Sequence, residues 1–548
     1  MKLLLKGTDS TQNWKDAGFS VPAFDVEAVR ARTRSAPTWI HFGAGNIFRA
    51  FPAAVHQELL DKGLADTGII VAEGFDAEII ERAYRPFDNL SVLVTLKADG
   101  SIDKKLVASV TESLAFGKSA DVTDLQGPDT RRLKEIFIAP GLQMASFTIT
   151  EKGYSLRDAK GELLSAVKAD IEGGPEKTIS LMGTIASLLF TRFVAQAGPL
   201  ALVSMDNCSH NGDKLKAAVF EVARTWHANG FVGADFIAWL EDPAKLSFPW
   251  SMIDKITPRP DSSVQEMLKK AGFEDTEIIV TARQTWTAAF VNAEEAQYLV
   301  IEDRFPNGRP PLEKAGILFA DRETVDKVER MKVTTCLNPL HTALAVTGCL
   351  LGYTSIHREM KDSALVKLVK RIGYTEGLPV VVNPGILDPK SFIDDVVERR
   401  LPNPFMPDTP QRIACDTSQK VPIRFGQTIR AWADDPARST DALEGIPFAI
   451  ACWLRYLCAK DDALRPFELS PDPLLPALTP AFADLDLTRR PPAAEVHQRL
   501  EPILSRADLF ACNLYRAGLG QKIEGLFAEL CAGPGAVRKT LDRVSAKW

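Results

Sequence analysis

In the first half of the chain, hydrophobic positions fall into short runs rich in β-branched and aromatic residues, each separated by stretches with apolar residues three and four apart. Strand-like runs alternating with helical periodicity mark βαβ units and a mainly parallel sheet. The runs predict strands at Thr38 to Phe42, Gly68 to Ala72, Leu90 to Leu96, Met144 to Thr150 and Ala201 to Met205. Phe51, Val55 and Leu59 share one helical face after the first strand, Lys177 to Ala195 reads as a helix before the last, and Asn211-Gly212-Asp213 opens another that runs through His227. Beyond about Pro260 strand signals thin and helical periodicity takes over, broken by prolines at Pro310-Pro311, Pro402 to Pro410 and Pro466 to Pro492. A change of domain is expected near 260 to 290.

A chain of 548 residues exceeds what one core usually organises, which supports two domains. The formal charge of -6 is small for that length, and basic residues are interspersed with acidic ones, so neither nucleic acid nor an anionic membrane is an expected partner. The most apolar stretch, Leu181 to Phe193, is shorter than the roughly 20 residues of a membrane-spanning helix and reads as a buried helix. Met1 to Lys6 lacks the pattern of a secretory signal, and a cytoplasmic protein is expected. Of eight cysteines only Cys452 and Cys458 lie close in sequence, without metal-ligand spacing, so reduced, mostly buried thiols and no metal are expected.

The segment Ile40-His41-Phe42-Gly43-Ala44-Gly45-Asn46-Ile47-Phe48-Arg49-Ala50 places two glycines between a strand and a helix. Gly43 suits a tight turn, and Gly45 lets the backbone approach a pyrophosphate, while Phe48 stands where a third glycine is common. Glu73 follows Ile69 to Ala72 where an acid would bond an adenosine ribose, with Asp76 as the alternative; either also reads as a solvated loop carboxylate. An acid there favours NAD over its 2′-phosphorylated form.

Between Lys332 and His341 an amine, the carboxamide of Asn338 and an imidazole fall within ten residues of a largely apolar stretch. Such a set suits carbonyl reduction: the amine exchanges a proton with the reacting oxygen, the carboxamide donates to developing charge, and the imidazole orients a neighbouring hydroxyl. A surface lysine and a packed core histidine remain the ordinary readings of each alone. Cys336 reads as a packed thiol, and His210 as part of the turn before the Asn211 helix.

With these motifs the chain resembles the long-chain polyol dehydrogenases, a family that also contains ketouronate reductases. The resemblance covers most of the chain. It runs through Gly43-x-Gly45 with Arg49-Ala50, Thr148 to Tyr154, Ser204-Met205-Asp206-Asn207 with Asn211-Gly212, and Phe248-Pro249 with Ile253 to Pro258. It continues through Ile301 to Phe305 with Gly308-Arg309-Pro310, Lys332 to His341, and Asp416 to Pro422. The resemblance implies a Rossmann-type N-terminal domain over 1–280, a mostly α-helical substrate domain over 281–548, and a metal-free site in the cleft between them. It implies Lys332 as general acid/base, Asn207 and Asn338 as carboxamide donors, His341 as a positioning residue, and Asp254, Arg412 and Lys420 as substrate contacts. Gly43, Gly45, Asn46, Phe48, Arg49, Glu73, Asp76, Thr150 and Glu151 fall to the cofactor, NAD.

Two features depart from the family. Six positions separate Lys332 from Asn338 where five are expected, and no motif matches beyond Arg465. The expected reaction is hydride transfer between NAD(H) and a ketouronate/aldonate pair such as fructuronate/mannonate or tagaturonate/altronate. A mannitol 2-dehydrogenase-like activity on neutral polyols is the alternative, and a nucleotide-binding sensor without chemistry is a third reading. Arg424, close behind Arg412 and Lys420, is the cation that could distinguish an acidic substrate.

Overall fold

In the computed structural model, which describes residues 1–5, 11–116 and 127–548, six parallel strands form the principal sheet. They are β1 (Trp39–Phe42), β2 (Ile69–Glu73), β3 (Val110–Ala115), β4 (Met144–Phe147), β5 (Leu200–Ser204) and β6 (Leu246–Ser247), arranged β3-β2-β1-β4-β5-β6. Alternate residues of a strand serve opposite faces. Ile40, Phe42, Ile70 and Ala72 join one apolar cluster, with Leu188 of α3 (Leu181–Val194) and Leu215 and Trp226 of α4 (Asn211–Ala228). Trp39, Ile69 and Val71 join another, with Phe48 of α1 (Asn46–Ala50) and Leu59 of α2 (Pro52–Asp61). Burial on both faces accounts for the nearly unbroken hydrophobic runs in the sequence.

The strand order reverses direction between β1 and β4. In doubly wound sheets this switch point opens a crevice at the carboxyl ends of the strands, and the Gly43 turn lies there.

Strands continue further than the sequence pattern suggests. Phe290–Glu294 pairs in parallel with Ser91–Leu96, and Ser251–Asp254, Tyr298–Glu302 and Leu318–Ala320 form a three-stranded sheet. The four of these strands from Ser251 onward have three to five residues, and most of their positions are buried, so they show little polar alternation. Their pairing holds the chain through Asp326 in the first of two compact units, Met1–Lys97 with Ser101–Asp326, whereas the sequence reading sets the change at 280/281.

The second unit, Lys327–Trp548 with Ala98–Gly100, is mostly helical. The chain enters it along α5 (Arg322–Met331) and passes through a π-turn (Lys332–Cys336) into α6 (Asn338–Leu351). Later come α7 (Pro410–Ile413), α8 (Thr417–Val421), α9 (Gly445–Tyr456) and α10 (Gly520–Leu530). Every side of α9 is buried, and α6 and α10 pack against it, as expected of an all-round apolar helix. The region after Arg465 is built into this unit: Ser418 of α8 donates its amide and hydroxyl to Asp472, at 2.7 and 2.5 Å. Among the described residues no helix is long and apolar enough to cross a membrane.

Candidate active site

In the first unit the glycine turn is over-determined. Gly43 has φ +104°, and a Cβ there would lie 2.2 Å from the Thr148 carbonyl oxygen, so only glycine fits. A Cβ on Gly45 would meet nothing within 4 Å, leaving open space at the start of α1. Glu73 holds the turn from beneath: one carboxylate oxygen accepts the Ala44 amide at 2.8 Å, and the other accepts the amides of Phe75 and Asp76 at 2.8 and 3.0 Å. Burial raises its carboxyl above the usual range, and the three amides oppose that shift. Asp76 is also buried and accepts the Thr281 hydroxyl at 2.7 Å. Both acids therefore have structural partners besides any ribose.

Two residues expected on the cofactor side turn inward instead. Phe48 stacks on buried His41 with ring centres 4.2 Å apart, so helix and strand meet through two rings where a glycine would bring backbones together. Arg49 is 1% exposed and donates to the Thr287 hydroxyl and the Ala288 carbonyl at 2.9 and 2.7 Å. Asn46, at the first helical position, donates to the Trp286 carbonyl at 3.2 Å.

The loops after β4 and β5 are joined by Asp206. It accepts the amides of Ile149 and Thr150 at 3.0 and 2.8 Å and the Tyr154 hydroxyl at 2.5 Å. Thr150 adopts φ +64°, a conformation these bonds sustain, and Glu151 pairs with Lys214 at the surface. Asn207 follows Asp206 and is exposed. Buried Asn211 accepts the Ser251 amide at 3.0 Å and donates to the Ser251 hydroxyl at 3.0 Å, fixing the strand that ends at buried Asp254. Sequence reading missed the anchoring role of Asp206 and Tyr154; their place in the Thr148 to Tyr154 and Ser204 to Asn207 motifs was the available signal. His210 takes a left-handed turn, stacks on Trp250 at 4.2 Å, and lies 3.5 Å from Asp326.

In the second unit Lys332 is 2% exposed, which sets it apart from the surface lysine it could have been. The Leu337 amide donates to the Lys332 carbonyl at 3.1 Å, closing a π-turn within the six-position step from Lys332 to Asn338. Asn338 and His341 lie three positions apart on one face of α6. The Asn338 carboxamide has no hydrogen-bond partner among the described residues, so its donors remain available to a ligand.

His341 Nε2 lies 3.5 Å from one oxygen of Asp408, whose other oxygen pairs with Arg412. Asp408 thus links two expected site residues and was itself missed, since it falls in the proline-rich stretch read as a break. Its one available signal was the four-residue spacing from Arg412. Lys420 donates to the carbonyls of Ile413 and Cys415, and burial, then nearby Arg424, lowers its pKa. Cys336 is buried, its thiol pushed up to about 12 by burial, consistent with a packed role. Among the described residues no group of histidine, cysteine and carboxylate side chains could hold a metal ion.

The strand order and the glycine turn at its switch point define a Rossmann-type dinucleotide-binding domain, followed by a mostly helical one. The mannitol dehydrogenase Rossmann domain matches residues 37–314, and the mannitol dehydrogenase C-terminal domain matches residues 324–523. The chain belongs to the mannitol dehydrogenase family.

It is 52% identical to a D-mannonate oxidoreductase of Thermotoga maritima, over 97% of this chain and 96% of the relative. It is 28% identical to a polyol:NADP oxidoreductase of Gluconobacter oxydans, over 83% and 86% of the two chains. The substrate-free crystal structure of a D-sorbitol dehydrogenase superposes with a TM-score of 0.75 at 25% identity, covering 93% of this chain and 95% of that one. A Pseudomonas fluorescens mannitol 2-dehydrogenase in ternary complex with NAD and D-mannitol gives 0.68 at 24% identity, with full coverage of both chains.

Proposed function

We propose that this protein transfers a hydride between NAD(H) and the fructuronate/mannonate pair, with tagaturonate/altronate the nearest variant. The observation that carries the reading is the likeness to D-mannonate oxidoreductase over nearly the whole of both chains. NAD, when bound, supplies or accepts the hydride. The Gly43 turn, the open space at Gly45 and the switch-point position fit its pyrophosphate.

In this reading Lys332, buried in the π-turn ahead of α6, exchanges the proton of the reacting oxygen. Asn338 and Asn207 supply carboxamide donors to the oxygen as negative charge develops on it. Asp408 holds His341 in place to orient a substrate hydroxyl. Asp254 and Arg412 are further substrate contacts, whereas Lys420, turned to two carbonyls, also secures the end of α7.

The test is NADH oxidation, followed by absorbance, with fructuronate, tagaturonate and fructose under identical conditions. Fructuronate is expected to be reduced with the highest kcat/KM. Fructose used as well as either acid would replace this reading with a neutral-polyol dehydrogenase, and no turnover with any of the three would favour the sensor.

A further inference from the structure

Buried arginines elsewhere in the protein have several acceptors. Arg192 reaches the carbonyls of Phe137, Gly198 and Pro199, among others, and Arg455 those of Lys460 and Asp461. Arg424 differs. It stands half-buried in the π-turn Pro422–Gly426, and its one hydrogen bond among the described residues is from Nη1 to the Thr342 hydroxyl at 2.7 Å. No carboxylate among the described residues pairs with it, although Asp408 lies in the same unit and pairs with Arg412 and His341. A guanidinium has five N–H donors in a planar fork, and those of Arg424 that do not bond Thr342 are accessible from solvent.

Its surroundings carry little negative charge. Burial lowers the Arg424 pKa to about 10, and no carboxylate among the described residues pairs with it to restore it. The charge also acts on Lys420, one helical turn earlier in sequence, whose pKa it lowers further. Thr342 directly follows His341 in α6, which places Arg424 against the helix that carries two of the proposed site residues. An incoming carboxylate is the group that matches both the charge and the fork of this half-buried guanidinium.

We infer that Arg424 is the carboxylate-recognising residue of the substrate site, the group that separates a ketouronate from a neutral ketose. The inference rests on the ketouronate reading and names the residue behind it. Thr342 fixes one edge of the guanidinium, leaving the opposite edge for a two-point bond to the acid group.

The experiment compares D-mannonate with its neutral amide, D-mannonamide, as inhibitors of fructuronate reduction, in the parent protein and in Arg424→Gln and Arg424→Lys. In the parent, mannonate is expected to bind at least tenfold more tightly than mannonamide. Arg424→Gln should bring the two inhibition constants within about threefold of each other, with Kd for NADH unchanged, and Arg424→Lys should retain an intermediate preference. Equal inhibition by acid and amide in the parent overturns the inference without recourse to a variant, so misfolding of Arg424→Gln cannot shield it. A preference undiminished in Arg424→Gln also overturns it, and so does an equal weakening of both ligands. Absence of fructuronate turnover in the parent removes the functional reading itself, a result separate from either of these.

Discussion

Leu337 donates its amide to the Lys332 carbonyl at 3.1 Å, a five-residue step where an α-helix takes four. The six-position step from Lys332 to Asn338 thereby contains one wide turn, which would confine the additional residue expected from the sequence, and α6 begins at Asn338. An added residue within a regular helix would instead turn everything after it by about 100°. The departure from the family spacing is thus compatible with a catalytic Lys332.

Lys332→Ala should lower turnover by roughly a hundredfold or more, the usual consequence of losing a general acid/base, while Kd for NADH stays nearly unchanged. Single-turnover NADH oxidation across pH measures it. A rate within about threefold of the parent at every pH would assign proton transfer to another group.

Asp408→Asn should lower kcat/KM for fructuronate by about 10- to 100-fold, because misplacing a positioning group by an ångström is enough for that. The motivating contact is the shared carboxylate of His341 and Arg412. NADH titration by fluorescence is the control. A variant with parental kcat/KM would show that neither residue needs the clamp.

Gly43→Ala and Gly45→Ala should separate folding from cofactor binding. At Gly43 a methyl group meets the Thr148 carbonyl at 2.2 Å in a backbone conformation hostile to L-residues, which alone costs roughly 1–3 kcal/mol. Its Tm should fall. At Gly45 a methyl group meets nothing within 4 Å, so Tm should hold while NADH affinity declines as the space for the pyrophosphate is filled. Thermal melts paired with NADH titration decide it, and equal behaviour of the two variants would remove the turn from the cofactor site.

Glu73→Gln should weaken NADH binding about tenfold, since the new NH2 group cannot accept one of the backbone amides now bonded there and a lost charged hydrogen bond is worth about 1.5–3 kcal/mol. Titrating NADH and NADPH against this variant and Asp76→Ser tests it. A change in the preference between the two cofactors at unchanged affinity would instead give the acids the ribose role expected from sequence.

His41 and Glu359 should tie stability to pH with opposite signs. His41 is buried between the hydroxyls of Ser146 and Thr148, at 2.6 and 2.8 Å, and burial lowers its pKa from 6.5 to about 3. Its folded value lies below the unfolded one, so its contribution is whole above pH 6.5 and is lost as pH falls toward 3. Among the described residues neither oxygen of buried Glu359, in the second unit, has a hydrogen-bond partner, and burial raises its pKa well above 4.5. The sign reverses: stability is whole below 4.5 and declines as pH rises toward the folded value, by at most about 1.4 kcal/mol per pH unit. Hydrogen exchange followed by mass spectrometry should show the segment around His41 loosening as pH falls below 6.5 and the segment around Glu359 loosening as pH rises above 4.5, and Glu359→Gln should flatten the second trend. Loosening of both segments in the same direction of pH would contradict the assignment.

How far the sequence could be read depended on the range of the interaction. β1, β2, β4 and β5 and the long helices α3 and α4 were legible because their residues face a continuous core and so carry an unbroken apolar signal. The short strands after Ser251 were not, since pairing with distant partners, such as Phe290–Glu294 with Ser91–Leu96, defines them more than their own periodicity does. At the site, residue types and spacing marked Lys332, Asn338 and His341. The inward turn of Phe48 and Arg49, the use of Glu73 beneath the glycine turn and the clamp at Asp408 depend on contacts across the fold, which spacing along the chain does not encode.

Asp472 receives both polar hydrogens of Ser418, two residues before Lys420. The C-terminal stretch is therefore a brace for the proposed substrate helix, and proteolysis would not affect the two ligands equally. A molecule clipped near Arg465 would keep its glycine turn and go on capturing coenzyme while its hold on the sugar acid slackened. Such fragments would act as a sink for NAD(H) in a degrading preparation, and specific activity per bound coenzyme would fall before coenzyme binding itself did.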